Sequence, residues 1–169
     1  DTEEAALTPK NYFYYVPYKN INYFYESDLF QRLEGRYKYL FQTDMKHCFD
    51  NIPSERIAEA VYMNVGEDLK DNTFANDAYL LMKDMNCNRK GLAIGSEFSR
   101  IYAEIILQRI DCEIEARMSN EGYYQMKDYA CFRYVDDTFL FYNEEKVKKL
   151  FIAVQEIVLN SWGISINHE

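Results

Sequence analysis

Two adjacent aspartates stand inside an otherwise apolar stretch, FRYVDDTFLFY (Phe132 to Tyr142), and this feature narrows the fold most. Tyr129 to Val135 has strand character, Thr138 to Tyr142 has it again, and only Asp136-Asp137 lies between them. The pattern predicts a tight two-residue hairpin with the acid pair at its tip. Phe132, Tyr134, Val135, Phe139, Leu140 and Phe141 put the pair at the end of a buried hairpin rather than on a wet loop. Asp is common in turns, so a plain polar turn is one explanation. The other is a cation site, because neighbouring anions repel and need a counter-charge.

Tyr37 to Asp44 (YKYLFQTD) reads as another inward strand, also ending on a carboxylate. Ile52-Pro53-Ser54 predicts a helix start with Ser54 as N-cap, the helix running to about Asn64. A second helix is expected from about Glu67 to Met85, then a loop from Asn86 to Gly95. Ser96 to about Met118 predicts a long helix with a buried stripe of Ile101, Ala103, Ile105, Leu107, Ile110 and Ile114. A further helix begins at Asn143 or Glu144 and runs to about Ser161, and Gly163 to Asn167 has the character of a last strand. Asn11 to Tyr25, dense in Tyr and Phe and interrupted by Pro17, fits an irregular hairpin or an extended segment.

The order strand, helices, strand, strand, helix, strand predicts an α+β fold: an antiparallel sheet with helices packed on one face, split βαβ-like. Such a sheet sets the end of the first strand beside the hairpin tip. Asp44 would then meet Asp136 and Asp137 despite their distance along the chain. Oxygen-only ligands of this kind suit Mg²⁺, or Mn²⁺ in its place. Two such ions about 3.5–4 Å apart stabilise the attacking and leaving oxygens of a phosphoryl transfer.

The chain has 169 residues, which suits one domain with a single sizeable core. A formal net charge of -9 argues against a protein that grips nucleic acid over its whole surface. Cys48, Cys87, Cys112 and Cys131 form no Cys-x-x-Cys pair, so they read as reduced thiols of a cytoplasmic protein rather than zinc ligands. Asp1 to Lys10 is acidic and polar, without signal-peptide character, and no apolar stretch is long enough to span a bilayer.

Four segments resemble, in order and spacing, the core motifs of reverse transcriptases. FQTDMKHCFDNI (Phe41 to Ile52) resembles motif A, GLAIGSEFSRIYAEIIL (Gly91 to Leu107) motif B, FRYVDDTFLFY motif C, and WGISIN (Trp162 to Asn167) the start of motif D. Together they cover roughly Tyr37 to Glu169. The texture of motif B, including Ala103 to Leu107, is similar to the bacterial abortive-infection and defence-associated group. Ile94 stands where maturases and retroviral-type enzymes usually have Gln, and Arg100 and Glu104 replace a usual Pro and Asn. The departure at Ile94 bears on template handling, since some of that group make DNA without a conventional template or prime from protein.

The resemblance implies a two-metal nucleotidyl transferase, an RNA-directed DNA polymerase. Asp44 and Asp136 would bind metal, Asp137 would be the weaker ligand, and the backbone carbonyl of Met45 would add a donor. Phe49 would pack under the sugar of an incoming dNTP and exclude a ribose 2′-OH, although Phe is also a usual core residue. Gly95, Ser99 and Lys46 would contact nucleotide or template. Gly91 and Gly95 would let the loop approach substrate closely, or simply form the loop. Asp50 reads equally as a helix cap or salt-bridge partner and as a participant in the chemistry, His47 as a surface or packing residue rather than a base, and Arg89, Lys90 and Arg100 as solvated cations that could touch phosphate. Arg133 could face out. Tyr12, Tyr14, Tyr15, Tyr18, Tyr23 and Tyr25 would stack bases or pack against another subdomain.

The resemblance further implies a division into residues 1–36, partial fingers or an N-terminal connection, and 37–169, the palm, with the thumb absent. A palm collects carboxylates while flanking parts carry basic residues, which accounts for the acidic balance. Expected partners are dNTPs and an RNA or DNA template-primer or a protein primer, with missing fingers and thumb segments or a homo-oligomer completing the enzyme, and no membrane. The expected biology is anti-phage defence. Two other functions compete: an RNA-dependent RNA polymerase, opposed by Phe49, Val135 and Glu104, and a non-catalytic RNA-binding or assembly module, opposed by the intact acid triplet.

Overall fold

The computed structural model describes residues 27–64, 72–86, 91–95 and 97–167. Its contacts divide the chain into two compact units, Asp1–Arg36 and Tyr37–Glu169. In the first, helix α1 spans Asp28–Arg36, an element not anticipated above. The Ser27 hydroxyl accepts the Phe30 N–H at 3.2 Å, satisfying one of the donors a helix start leaves open. Asp28 in the first turn and Arg36 in the last both complement the helix dipole. The Tyr-rich segment, Arg89 and Lys90 lie outside the described residues.

The second unit contains β1 (Tyr39–Lys46), α2 (Cys48–Asn51), a 3₁₀ turn (Ser54–Arg56), α3 (Ile57–Asn64), α4 (Asn72–Met85), α5 (Glu97–Asn120), β2 (Tyr129–Tyr134), β3 (Asp137–Tyr142), α6 (Glu145–Ser161) and β4 (Ser165–Ile166). The sheet has the order β2-β3-β1-β4, with every neighbouring pair antiparallel. This is the expected α+β, split βαβ-like topology.

Side chains alternate across the pleat. On β1, Phe41, Thr43 and Met45 are half-buried or buried, while Gln42, Asp44 and Lys46 are more open. Met45, Leu140, Tyr142 and Tyr129 form one core with α5 and α6. Helix α6 supplies Val147, Phe151, Val154 and Val158 at the 3.6-residue period. Helix α5 supplies Ala103, Leu107, Ile110 and Ile114 as expected, and also Tyr102, Ile106 and Met118. Ile101, expected inside, is 41% exposed, so the stripe is rotated from the one anticipated. Fully burying one such aliphatic side chain is worth about 1.5–3 kcal/mol.

A buried polar group sits within this core. Gln155, 1% exposed on α6, donates from Nε2 to the hydroxyls of Thr43 and Thr138 at 3.3 Å each. These threonines are register partners one residue before Asp44 and one after Asp137. The amide therefore ties β1 to β3 beneath the acidic end of the sheet. A lost partner there would leave buried polar groups unsatisfied, costing about 1–3 kcal/mol.

Several boundaries move. The first strand reaches two residues past Asp44, because β4 pairs with its end through Met45↔Ile166 and Lys46↔Ser165. Ser54 makes no side-chain cap. It opens the 3₁₀ turn after Pro53, and the α-helix proper begins at Ile57. Among the described residues no helix is long and apolar enough to cross a membrane.

Candidate active site

The β1–β3 ladder carries Asp44 directly opposite Asp137. Asp136 precedes Asp137 in the turn, and its backbone carbonyl accepts the Met45 N–H at 3.3 Å. The three acids are thus brought together at one end of the sheet, the juxtaposition inferred from sequence. The turn itself is displaced by one residue: Tyr134 pairs with Asp137, so its two residues are Val135 and Asp136, and Asp137 begins β3.

Val135 sits at φ 57. A β-branched residue in the left-handed region is unfavourable, on the order of 1–3 kcal/mol, and persists only where its surroundings impose it. The two-residue hairpin turn asks for it, and Arg133 holds the result, donating from Nη1 to the Val135 carbonyl at 2.9 Å. It does not face out. Its side chain is 6% exposed and reaches Glu104 and Asp111 on α5. Burial works against its charge, but hydrogen bonds and charges from Glu104 and Asp111 outweigh that and hold the guanidinium above its ordinary pKa.

An open cavity of about 570 Å³ lies against this end of the sheet, with Asp44, Met45, Lys46, His47, Phe49, Ile94, Asp136 and Asn167 among its lining residues. Asn167 fixes Asp44 twice: its Nδ2 donates to Asp44 Oδ2 at 2.9 Å, and its backbone N–H to the Asp44 carbonyl at 2.9 Å. Burial raises the Asp136 carboxyl above the ordinary carboxylate range, and the negative charges of Asp44 and Asp137 push the same way. Asp137 does not line the cavity. Its Oδ1 accepts from Gln42 Nε2 at 2.9 Å.

The donor set is of the right kind for a hard cation, being oxygen only, with Asp136 set beside two other anions. The side chains do not form a closed cage. Among the described residues, no group of three or more His, Cys, Asp or Glu side chains is arranged to hold a metal ion. What fits is Asp44 and Asp136 on one cavity wall, with Asp50 also on its lining.

The other sequence candidates separate. Phe49, on α2, and Lys46 reach the cavity. Gly95 does not line it, and its φ of +89 with nothing within 4 Å of a notional Cβ marks a turn requirement. Ser99 is 2% exposed on α5 and is not brought to the cavity, because its face of the helix is turned inward. Gly91 has a different reason from substrate approach. A Cβ there would lie 2.4 Å from the Asp50 carbonyl oxygen, and Leu92 N–H donates to the Phe49 carbonyl at 2.7 Å. The close approach is of the loop to α2, which seats Phe49. Asn86, buried, completes the loop by donating to the Gly91 carbonyl and accepting the Ala93 N–H. Asp50 stands 3.9 Å from His47, both exposed, and Arg100 pairs with Glu97.

Sequence reasoning missed Asn167, Gln42, Gln155 and the Arg133 cluster as supports of the acids. The signal for Arg133 was present: a cation on a strand whose neighbours alternate inward, with Glu104 and Asp111 seven residues apart on one helix.

A family model described as reverse transcriptase (RNA-dependent DNA polymerase) matches residues 6–169. No curated protein matches the chain.

Proposed function

Because the chain belongs to the reverse transcriptase family, we propose that it carries the nucleotidyl-transfer centre of a DNA polymerase, with Asp44 and Asp136 as its principal acids. The observation that carries this reading is that both line one cavity together with Phe49. Asp44, Asp136 and the Met45 backbone would hold Mg²⁺, or Mn²⁺ in its place, with Asp137 contributing charge. Bound there, a pair of ions supplies charge stabilisation to the attacking and leaving oxygens.

The chain's own residues supply the rest. Asn167 keeps Asp44 in one rotamer, and Gln155 fixes the strand register beneath it. Phe49 lines the cavity wall, and this reading makes it the side chain that would sense the sugar and favour dNTPs over NTPs. Lys46 puts a cation on the same wall, suited to a triphosphate. Ile94, 77% exposed on that wall, presents an apolar side chain where other members of the family use an amide. This supports the defence-associated reading: an anti-phage polymerase of the bacterial cytoplasm that dispenses with a conventional template or primes from protein.

The test is a polymerisation assay with Mg²⁺, on the longest protein that carries this chain. It compares dNTPs with NTPs, with and without added template, and the products are sequenced. Incorporation of dNTPs that is lost in Asp136→Ala is expected. Preferential use of NTPs, or synthesis unchanged in Asp136→Ala, would overturn the reading. Product sequence copied faithfully from an added template would remove the template-independent part alone.

A further inference from the structure

We propose that Arg133 is a positioning residue for the acidic turn: it holds the Val135 carbonyl and thereby sets where Asp136 points into the cavity. The inference rests on the polymerase reading only for what Asp136 does, not for how it is held.

The geometry uses all three nitrogens of the guanidinium. Nε donates to Asp111 at 2.9 Å, Nη1 to Glu104 Oε2 at 3.0 Å and to the Val135 carbonyl at 2.9 Å, and Nη2 lies 2.8 Å from Glu104 Oε1 and 2.9 Å from Asp111 Oδ2. Four of the five N–H donors of the fork therefore have a hydrogen-bond acceptor, and Nη2 also lies in ion-pair range of Asp111, a planar set that the three donors and single point charge of a lysine cannot reproduce. Three of these bonds anchor the side chain to helix α5, which is 24 residues long and packs into the core. The fourth goes to the one residue of the turn whose backbone is in an unfavourable region. A two-residue hairpin turn asks for a positive φ at Val135, a β-branched residue that adopts it only under strain, and the bond to its carbonyl holds that conformation. The peptide carrying that carbonyl is the N-terminal attachment of Asp136. The same arrangement explains why Glu104 stands on α5: it is half of the anchor.

A role confined to stability would show as a lower melting temperature and nothing else. A positioning role appears in the turnover number and in cation affinity. The experiment compares wild type, Arg133→Lys, Arg133→Gln, Val135→Gly and the Arg133→Gln/Val135→Gly double variant, in the longest protein carrying this chain, below the melting temperature of each. Two readouts are used: kcat and KM for dNTP, and Mn²⁺ binding followed by the free-ion EPR signal, which needs no turnover.

Expected are a fall in kcat and a rise in the half-saturating Mn²⁺ concentration, each about 10–100-fold for Arg133→Gln, with Arg133→Lys similar. The KM for dNTP should stay within about 3-fold. Glycine adopts positive φ without strain, so the loss caused by Arg133→Gln should shrink in the Val135→Gly background. Unchanged kcat and Mn²⁺ affinity in Arg133→Lys, or the same fold loss in both backgrounds, would overturn the proposal. A wild type that binds Mn²⁺ through this turn but makes no polymer would overturn the polymerase reading and leave the positioning role standing. A wild type that neither turns over nor binds Mn²⁺ would overturn both.

Discussion

Asn167 grips Asp44 at two points, amide to carboxylate and backbone to backbone, each at 2.9 Å. The residue that follows β4 therefore supports the first acid directly. Asn167→Ala removes one of the two bonds and leaves the backbone contact. The carboxylate then gains rotamer freedom, and turnover is expected to fall about 10-fold, at the low end for a lost support of a metal-binding carboxylate. Thermal stability should change little, because the site is open. Steady-state kinetics beside a melting curve distinguishes the two effects.

Asp136 opposes folding while serving the site. Its carboxyl is raised by burial first and by Asp44 and Asp137 next. A raised folded-state pKa means the native state binds more protons than the unfolded state between the two values, so stability falls as pH rises through that window. The penalty is absent below the unfolded carboxylate pKa and complete above the folded one. Asp136→Asn should therefore melt higher than wild type at pH 7, with the gap closing on acidification. Mn²⁺ should close the gap from the other side by stabilising only the wild type. The same variant should lose polymerisation. A gap independent of pH would show that the Asp136 charge is not its source.

How far the sequence could be read depends on which force decides each element. The juxtaposition of Asp44 with Asp136 and Asp137 was legible because strand periodicity and chain order leave few antiparallel sheets to choose from. The turn was placed one residue late, because an acid pair between apolar strands looks like the tip. The two-residue turn instead falls on Val135-Asp136, with Val135 in the left-handed conformation such turns ask for and its carbonyl held by Arg133. Ser99 was picked from motif texture, which carries no information about which face of α5 it occupies. Ile101 was expected inside because all-apolar spacing cannot fix the rotation of a helix that is mixed all round. Gly91 reads in the sequence either as a glycine for close substrate approach or as a loop former, and only coordinates show that the atoms it must avoid belong to Asp50 and Phe49.

Gly91 should be the least tolerant of the loop glycines. In Gly91→Ala the new Cβ meets the Asp50 carbonyl oxygen at 2.4 Å, its carbon at 2.8 Å and the Phe49 carbonyl oxygen at 2.8 Å, at a φ of +74. All three are backbone atoms that cannot swing away, so α2 must shift. A loss of about 3 kcal/mol is expected from overpacking and left-handed strain together. Gly95→Ala meets nothing within 4 Å and carries only the φ of +89, which costs about 1 kcal/mol. Urea denaturation of both variants measures the difference. Equal losses would mean that the loop does not pack against α2 as described.

The cysteines give a chemical check on the site that needs neither substrate nor activity. Cys48 begins α2 at 3% exposure, and burial, with Asp136 and Asp44 adding to it against Arg133, pushes its thiol up to about 12. Cys112, on α5, is exposed. The thiolate is the nucleophile, so the fraction available at Cys48 near pH 8 is on the order of 10⁻⁴. Iodoacetamide at that pH should modify Cys112 first and leave Cys48 unmodified until the protein is denatured, as read by peptide mass spectrometry. Replacing both Asp44 and Asp136 by Asn removes two of the charges that raise the thiol but not its burial. Cys48 should therefore remain protected in that variant. Rapid alkylation of Cys48 in the native wild type would mean that α2 is not packed beneath the acidic cavity, and the placement of Phe49 would fail with it.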